Sequence, residues 1–152
     1  TALHPRRGPI QILKSCGPAG MILSYPVISS GEFAHQDSFA ALLGDSYEHL
    51  KSNSLFGKLS LETQVTSDTP PAFLWHTFTD NLVPVENSLL FAMALRRADV
   101  PAELHIFPAG GHGLALANEL TLDQDGYGIQ KECQIWIDLA KVWLHDLVGV
   151  GL

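Results

Sequence analysis

The run from Pro71 to Gly113, PPAFLWHTFTDNLVPVENSLLFAMALRRADVPAELHIFPAGGHG, leaves few options for the fold. Ala72 to Phe78 is apolar and aromatic and leads to Asp80, which predicts a strand with a carboxylate just past its end. Pro84 suits the first position of a helix over residues 85–98, and Arg96 and Arg97 fall in its last turn, where the dipole favours cations. Val85, Leu89, Ala92 and Met93 recur at helical spacing and predict the stripe that this helix buries. Glu103 to Phe107 predicts a second strand, which runs into Ala109-Gly110-Gly111-His112-Gly113. Two strands joined by a helical crossover lie parallel, with right-handed connection. Their carboxyl ends then share one edge, where open α/β sheets bind their ligands. The class is α/β, and Asp80 and His112 belong to one edge of its sheet.

That placement makes an acid–base pair available. A carboxylate that holds the Nδ1 proton of a histidine fixes its tautomer and frees Nε2 for proton transfer. The glycines before His112 permit a sharp turn and leave the imidazole unshielded. Spacing alone keeps a second reading open, in which Asp80 caps a turn and His112 is a loop residue without shared chemistry. A nucleophile would complete the set, yet no G-x-S-x-G pentapeptide occurs in the chain. Ser15 lacks the leading glycine and a strand before it, and Ser29 and Ser30 are followed too soon by Gly31. No nucleophile is assigned, Cys16 included.

Composition narrows the function classes. Hydrophobic residues at 46% and charged residues at 16% describe a globular chain, and 152 residues suit one domain. The net charge of −7 argues against nucleic acid and against anionic membrane as partners. Residues 1–20 carry Arg6, Arg7 and Lys14 with no acid, so the acidic excess lies wholly in the remainder. No apolar run reaches the roughly 18–20 residues that span a bilayer. The start, TALHPRRGPIQILK, has no h-region, which favours a cytoplasmic location. Cys16 and Cys133 form no C-x-x-C pair and read as reduced thiols. His4, His35, His49, His76, His105 and His145 offer no metal-binding spacing, and no glycine-rich nucleotide loop is present, so no metal and no cofactor is expected.

Elsewhere, residues 1–20 read as irregular, with a weak strand at Ile10 to Leu13. Met21 to Ile28 is a continuous apolar run and predicts a buried strand that Pro26 interrupts near its end. Glu32 to Leu61 predicts helical pieces: Phe39, Leu42 and Leu43 on one face, Ser38 as N-cap, Gly44 as stop, then a short helix near Ser46 to Lys51. A further helical turn is expected at Leu61 to Val65. This stretch is expected to form a lid or pocket wall above the active edge, or else a plain surface connection. A last helix over residues 130–147 would bury Ile135, Leu139 and Val142 with Trp136 and Trp143 on a widened face.

LSYPVISSGEFAHQDSF, SDTPPAFLWHTFTDNLVPVENSLLFAMAL and AELHIFPAGGHG closely resemble the C-terminal half of α/β-hydrolases of the acetyl-esterase and xylan-esterase-like group, often labelled lipase/esterase or prolyl-oligopeptidase-like. The resemblance covers residues 20–147. It implies a partial α/β-hydrolase fold with about three parallel strands flanked by helices. The D-x-x-V-P element places the triad acid on Asp80, and G-G-H-G places the triad base on His112. It further implies domain limits: residues 1–19 are an irregular segment unlike the family, and 20–152 are the C-terminal portion of the domain. The family's serine elbow and oxyanion loop precede the strand that Met21–Ile28 matches, so a truncation, a split gene or a misjoined start would each produce this chain.

The implied function is the acid/base-bearing portion of a serine carboxylester hydrolase, acting on acetyl or other small-acyl esters, acetylated sugars included. The alternatives are an inactive fragment or binding remnant, and a serine-peptidase relative. The partner expected is a small-molecule ester once an N-terminal half supplies the serine. By the family's topology the Met21–Ile28 strand would pair with a further strand. Left unpaired, that edge implies self-association.

Overall fold

The computed structural model of the protein describes residues 17–149. Three strands, β1 (Met21–Ser24), β2 (Ala72–Thr77) and β3 (Ala102–Phe107), form one parallel sheet in the order β1-β2-β3. Ala72 pairs with Met21 on one side and with Ala102 on the other. Between β1 and β2 lie the short helices α1 (Gln36–Leu43), α2 (Tyr47–Leu50) and α3 (Ser54–Gly57), with a 3₁₀ turn at Leu61–Thr63. Helix α4 (Glu86–Arg97) makes the β2–β3 crossover, and α5 (Trp136–Val148) follows a 3₁₀ turn at Lys131–Cys133. This is the α/β architecture the crossover pattern predicts. The expected strand at Ile10–Leu13, Ser15 and Cys16 lie outside the described residues.

All six residues of β2 are buried, because the strand is covered on both faces. Alternation sends Phe73 and Trp75 towards α5, where they meet Leu114, Ala117, Cys133, Trp136 and Ala140. Trp75 stacks on Trp136 with ring centroids 5.1 Å apart and planes 17° apart. The intervening residues Ala72 and Leu74 face α4 and pack with Phe91, Leu95, Val100 and Ile28. His76 belongs to that second face, four residues before Asp80, and there it meets Ser88 of α4.

Several sequence expectations change in detail. The first strand stops at Ser24, because Tyr25 takes φ 39° and Pro26 follows it. The faces that the long helices bury match only in part those their apolar residues predict: Val85 and Trp136 are buried and Leu139 and Trp143 pack on the core, but other predicted positions turn outward. In α4 the buried positions are Asn87, Ser88, Phe91, Ala94 and Leu95, while Met93 is 52% exposed. The spacing is still helical, but the stripe begins with two polar residues whose partners lie in other segments. Glu86 opens α4, so Pro84 stands before the helix rather than at its first position. In α5 Trp136 and Ala140 are buried and Val142 is 62% exposed, since docking both large indoles towards Phe73 and Trp75 turns Ile135 and Val142 outward. Ser38 is no N-cap; it lies inside α1, which begins after His35, and its hydroxyl pairs with His35 Nδ1 at 2.8 Å. Gly44 does end α1, at φ 54°.

Candidate active site

Asp80 stands three residues past β2, on a turn that its own side chain builds. Its Oδ1 accepts from the amides of Leu82 at 2.9 Å and Val83 at 3.0 Å. Oδ2 is thereby aimed across the sheet edge and accepts from His112 Nδ1 at 2.8 Å. The acid and the base predicted from the strand-helix-strand order meet. Burial pushes the Asp80 carboxyl upward, but hydrogen bonds from the Val83 amide, His112 and the Leu82 amide outweigh it and hold the group below the ordinary carboxylate range. Asp80 is therefore an anion that accepts a hydrogen bond from the protonated Nδ1. Nε2 of His112 is the free nitrogen, since no hydrogen bond among the described residues engages it. The imidazole is 27% exposed, so a reacting group can reach it.

The loop carrying His112 is pinned from both sides. Gly110 has φ 140°, and a Cβ there would meet the Thr77 methyl at 2.8 Å and Leu114 Cδ1 at 2.9 Å, so only glycine fits. The Gly110 carbonyl accepts from the hydroxyls of Thr77 and Thr79, each at 2.9 Å, which ties the histidine loop to the turn after β2. At Gly111 a side chain would collide with the Tyr127 hydroxyl. That hydroxyl donates to the His112 carbonyl at 2.7 Å. Burial, then the charge of Asp80, hold the Tyr127 phenol above its usual range and keep that donor protonated. Tyr25 lies edge-on to the His112 ring, with centroids 4.8 Å apart, and its hydroxyl accepts from the Ala115 amide at 3.2 Å. The left-handed backbone of Tyr25, unusual for a residue with a Cβ, is thus tied to the site. Neither tyrosine stood out in the sequence. Their partners are a ring and a carbonyl from distant segments.

His76, which the sequence places within the Ala72–Phe78 strand without metal-binding spacing, is a residue that the structure brings to the site. It is fully buried, and its Nε2 lies 3.0 Å from the Val83 carbonyl and 3.2 Å from Asp80 Oδ2. Burial holds its pKa below the ordinary 6.5, against upward pulls from the Val83 carbonyl and Asp80. Stability then has a definite pH sign. Between that lowered value and 6.5 the unfolded chain binds the proton and the folded chain does not. Stability is expected to fall as pH drops below 6.5, and His76→Gln is expected to flatten that part of the curve. Urea midpoints at pH 7 and pH 5 for both chains read the effect. An equal slope in both would mean that His76 does not carry it.

Of the serines weighed as nucleophiles, the two among the described residues, Ser29 and Ser30, are engaged elsewhere. Ser30 Oγ donates to the Phe56 carbonyl at 2.8 Å, and Ser29 Oγ accepts from the Gly31 amide at 3.0 Å, both side chains lying in buried residues. Between β1 and β2, α1 (through Phe39 and Leu42 among others) and the segment 58–61 line a cavity of about 360 Å³ together with Ile28. Asp80 and His112 do not line it. Cys133 is a buried free thiol whose pKa burial pushes up to about 11. Among the described residues no cluster of three or more His, Cys, Asp or Glu is placed to hold a metal ion. No described helix is long and apolar enough to cross a membrane.

A profile of the prolyl oligopeptidase family matches residues 22–124, which include both Asp80 and His112. The chain belongs to that family. Among solved structures, an acetyl ester-xyloside bifunctional hydrolase from Caldicellulosiruptor lactoaceticus is similar at 46% identity and TM-score 0.76, over 90% of this chain and 45% of that one. A carboxylesterase from Lactobacillus plantarum is similar at 30% identity and TM-score 0.70, over 88% of this chain and 46% of that one. Among curated proteins, an endo-1,4-beta-xylanase B of Butyrivibrio fibrisolvens is 48% identical over 102 residues, which make up 67% of this chain and 15% of that protein. The chain thus spans less than half the length of the solved relatives and a smaller share of the curated one. The three parallel strands and their flanking helices are part of an α/β-hydrolase fold.

Proposed function

We propose that this chain is the acid/base-bearing portion of a serine carboxylester hydrolase acting on small acyl esters, acetylated sugars foremost. The observation that carries it is the 2.8 Å contact of His112 Nδ1 with buried Asp80, which leaves Nε2 as the free, accessible base. In this reading Nε2 takes the proton of a serine hydroxyl as its oxygen attacks the ester carbonyl. It then returns that proton to the departing alkoxide, leaving an acyl-enzyme. A water deprotonated by the same nitrogen releases the acid. Asp80 holds the tautomer and stabilises the imidazolium. Serine and oxyanion donors come from a part of the protein that sits beside β1, the sheet edge where Ile22 is 45% exposed. No cofactor takes part.

The sugar-ester preference leans on the acetyl ester-xyloside hydrolase, and the family name favours a peptidase as the second reading. A xylanase activity fits the pair less well. Cleaving a glycosidic bond ordinarily uses two carboxyl groups across the bond, whereas Asp80 is committed to a histidine.

A chimera tests the proposal: residues 20–152 replace the matching part of the Caldicellulosiruptor hydrolase, and hydrolysis of acetylated xylo-oligosaccharide, p-nitrophenyl acetate and a peptide anilide is followed. Ester turnover that His112→Ala abolishes is the expected result. A folded chimera without ester turnover, or one indifferent to His112→Ala, would overturn the reading. Peptide cleavage without ester cleavage would replace it with the peptidase.

A further inference from the structure

We propose that His76 is a positioning residue of the Asp80–His112 pair, donating a hydrogen bond from its Nε2–H to Asp80 Oδ2 so that the carboxylate keeps one orientation towards His112. This rests on the reading of Asp80 and His112 as acid and base.

The location of the proton follows from the partners. Nε2 of His76 lies 3.0 Å from the Val83 carbonyl, which has no proton to offer, so the nitrogen must donate. Nδ1 is then the acceptor, and the Ser88 hydroxyl, 2.8 Å away on α4, donates to it. Both nitrogens are occupied and the tautomer has no alternative. The Nε2 proton is shared with Asp80 Oδ2 at 3.2 Å. Asp80 therefore receives four donors, the Leu82 and Val83 amides on Oδ1 and the two histidines on Oδ2. Two donors on each oxygen hold the plane of the carboxylate in one orientation.

Neutrality is the second part of the argument. The groups facing His76 are Asp80 and Val83 from the turn after β2, Ser88 from α4, and His112 across the shared carboxylate. A cation at His76 would compensate Asp80 before His112 is charged and so weaken the attraction for a catalytic imidazolium. Burial opposes that cation. The single negative charge of Asp80 is thus kept for His112, while His76 supplies direction without charge. An inert core histidine would also need the Ser88 and Val83 contacts, but not the one to Asp80 Oδ2.

Nitrogen-15 labelling of the histidines of the 152-residue chain tests it by long-range proton–nitrogen correlation. His76 is expected with its proton on Nε2, and His112 with a downfield, slowly exchanging Nδ1 proton. His76→Leu is expected to remove the His112 signal. His76→Gln, whose side chain places an amide donor near the lost Nε2, is expected to restore it. Ser88→Ala, which leaves both contacts to Asp80 in place, is expected to keep it. A wild-type His76 protonated on Nδ1 would overturn the proposal, as would loss of the His112 signal in His76→Gln or its persistence in His76→Leu. Failure of the hydrolase reading looks different: the signals behave as expected while the chimera shows no turnover.

Discussion

Asn87→Ala is expected to lower the free energy of unfolding by about 3–4 kcal/mol, as much as truncating a buried apolar residue on the same helix face. Asn87 is fully buried at the start of α4, and every polar atom of its side chain is used. Oδ1 accepts from the amides of Ile28 at 2.9 Å and Ser29 at 2.8 Å. Nδ2 donates to the carbonyls of Phe33 and Pro84, each at 2.9 Å. One side chain thus satisfies backbone groups in the segment after β1, in the loop before α1 and at the entry to α4. The Ile28 and Ser29 amides and the Phe33 carbonyl belong to irregular chain, where no ladder or helix takes them up. Alanine leaves these three without partners, while the Pro84 carbonyl keeps the backbone amide of residue 87 at 3.0 Å, and each unpaired buried group costs about 1–3 kcal/mol unless water reaches it. Ser88→Ala, one residue on, removes a single hydroxyl contact and should cost about 1 kcal/mol. A urea titration reads both. Equal, small losses would show that the segments around Asn87 are held by something else.

Asp80→Asn in the chimera should lower ester turnover by roughly 10⁴-fold while the fold persists. The fold persists because the amide oxygen can still accept from Leu82 and Val83, as Oδ1 does in the native chain. Turnover falls because the amide nitrogen then occupies the place of Oδ2, where it meets two nitrogens. His76 cannot yield, since the Val83 carbonyl fixes its proton on Nε2. His112 can yield, and it does so by presenting an unprotonated Nδ1 to the new donor. The proton moves to Nε2, and the base is lost at the atom where it is needed. Turnover in Asp80→Asn near that of the parent chimera would remove the acid role from Asp80.

Much of this site was legible before any coordinates. An apolar run followed by Asp80, a helix with cations in its last turn, a second strand and Gly-Gly-His are local patterns. The right-handed crossover is general enough to bring the two strand ends together from those patterns alone. The helix faces were harder. An apolar count sends Leu89 and Met93 of α4 inward and leaves Asn87 and Ser88 outside, and the molecule does the reverse. Hydrophobic periodicity locates a helix well, but it cannot rank a polar residue whose hydrogen bonds await it in the core.

His76 shows the boundary best. Its place in a strand could be read from Ala72 to Phe78, and its four-residue distance from Asp80 was plain. The sequence by itself determined the sheet class and the shared edge that holds Asp80 and His112, because strand period and crossover handedness are properties of short stretches of chain, and their hydrogen bond came only with the structure. The tertiary structure alone decided that His76 donates to Asp80, that Asn87 ties three segments, and that Tyr25 and Tyr127 frame His112. A buried polar side chain acquires its role from partner atoms, and those atoms belong to residues far away in sequence.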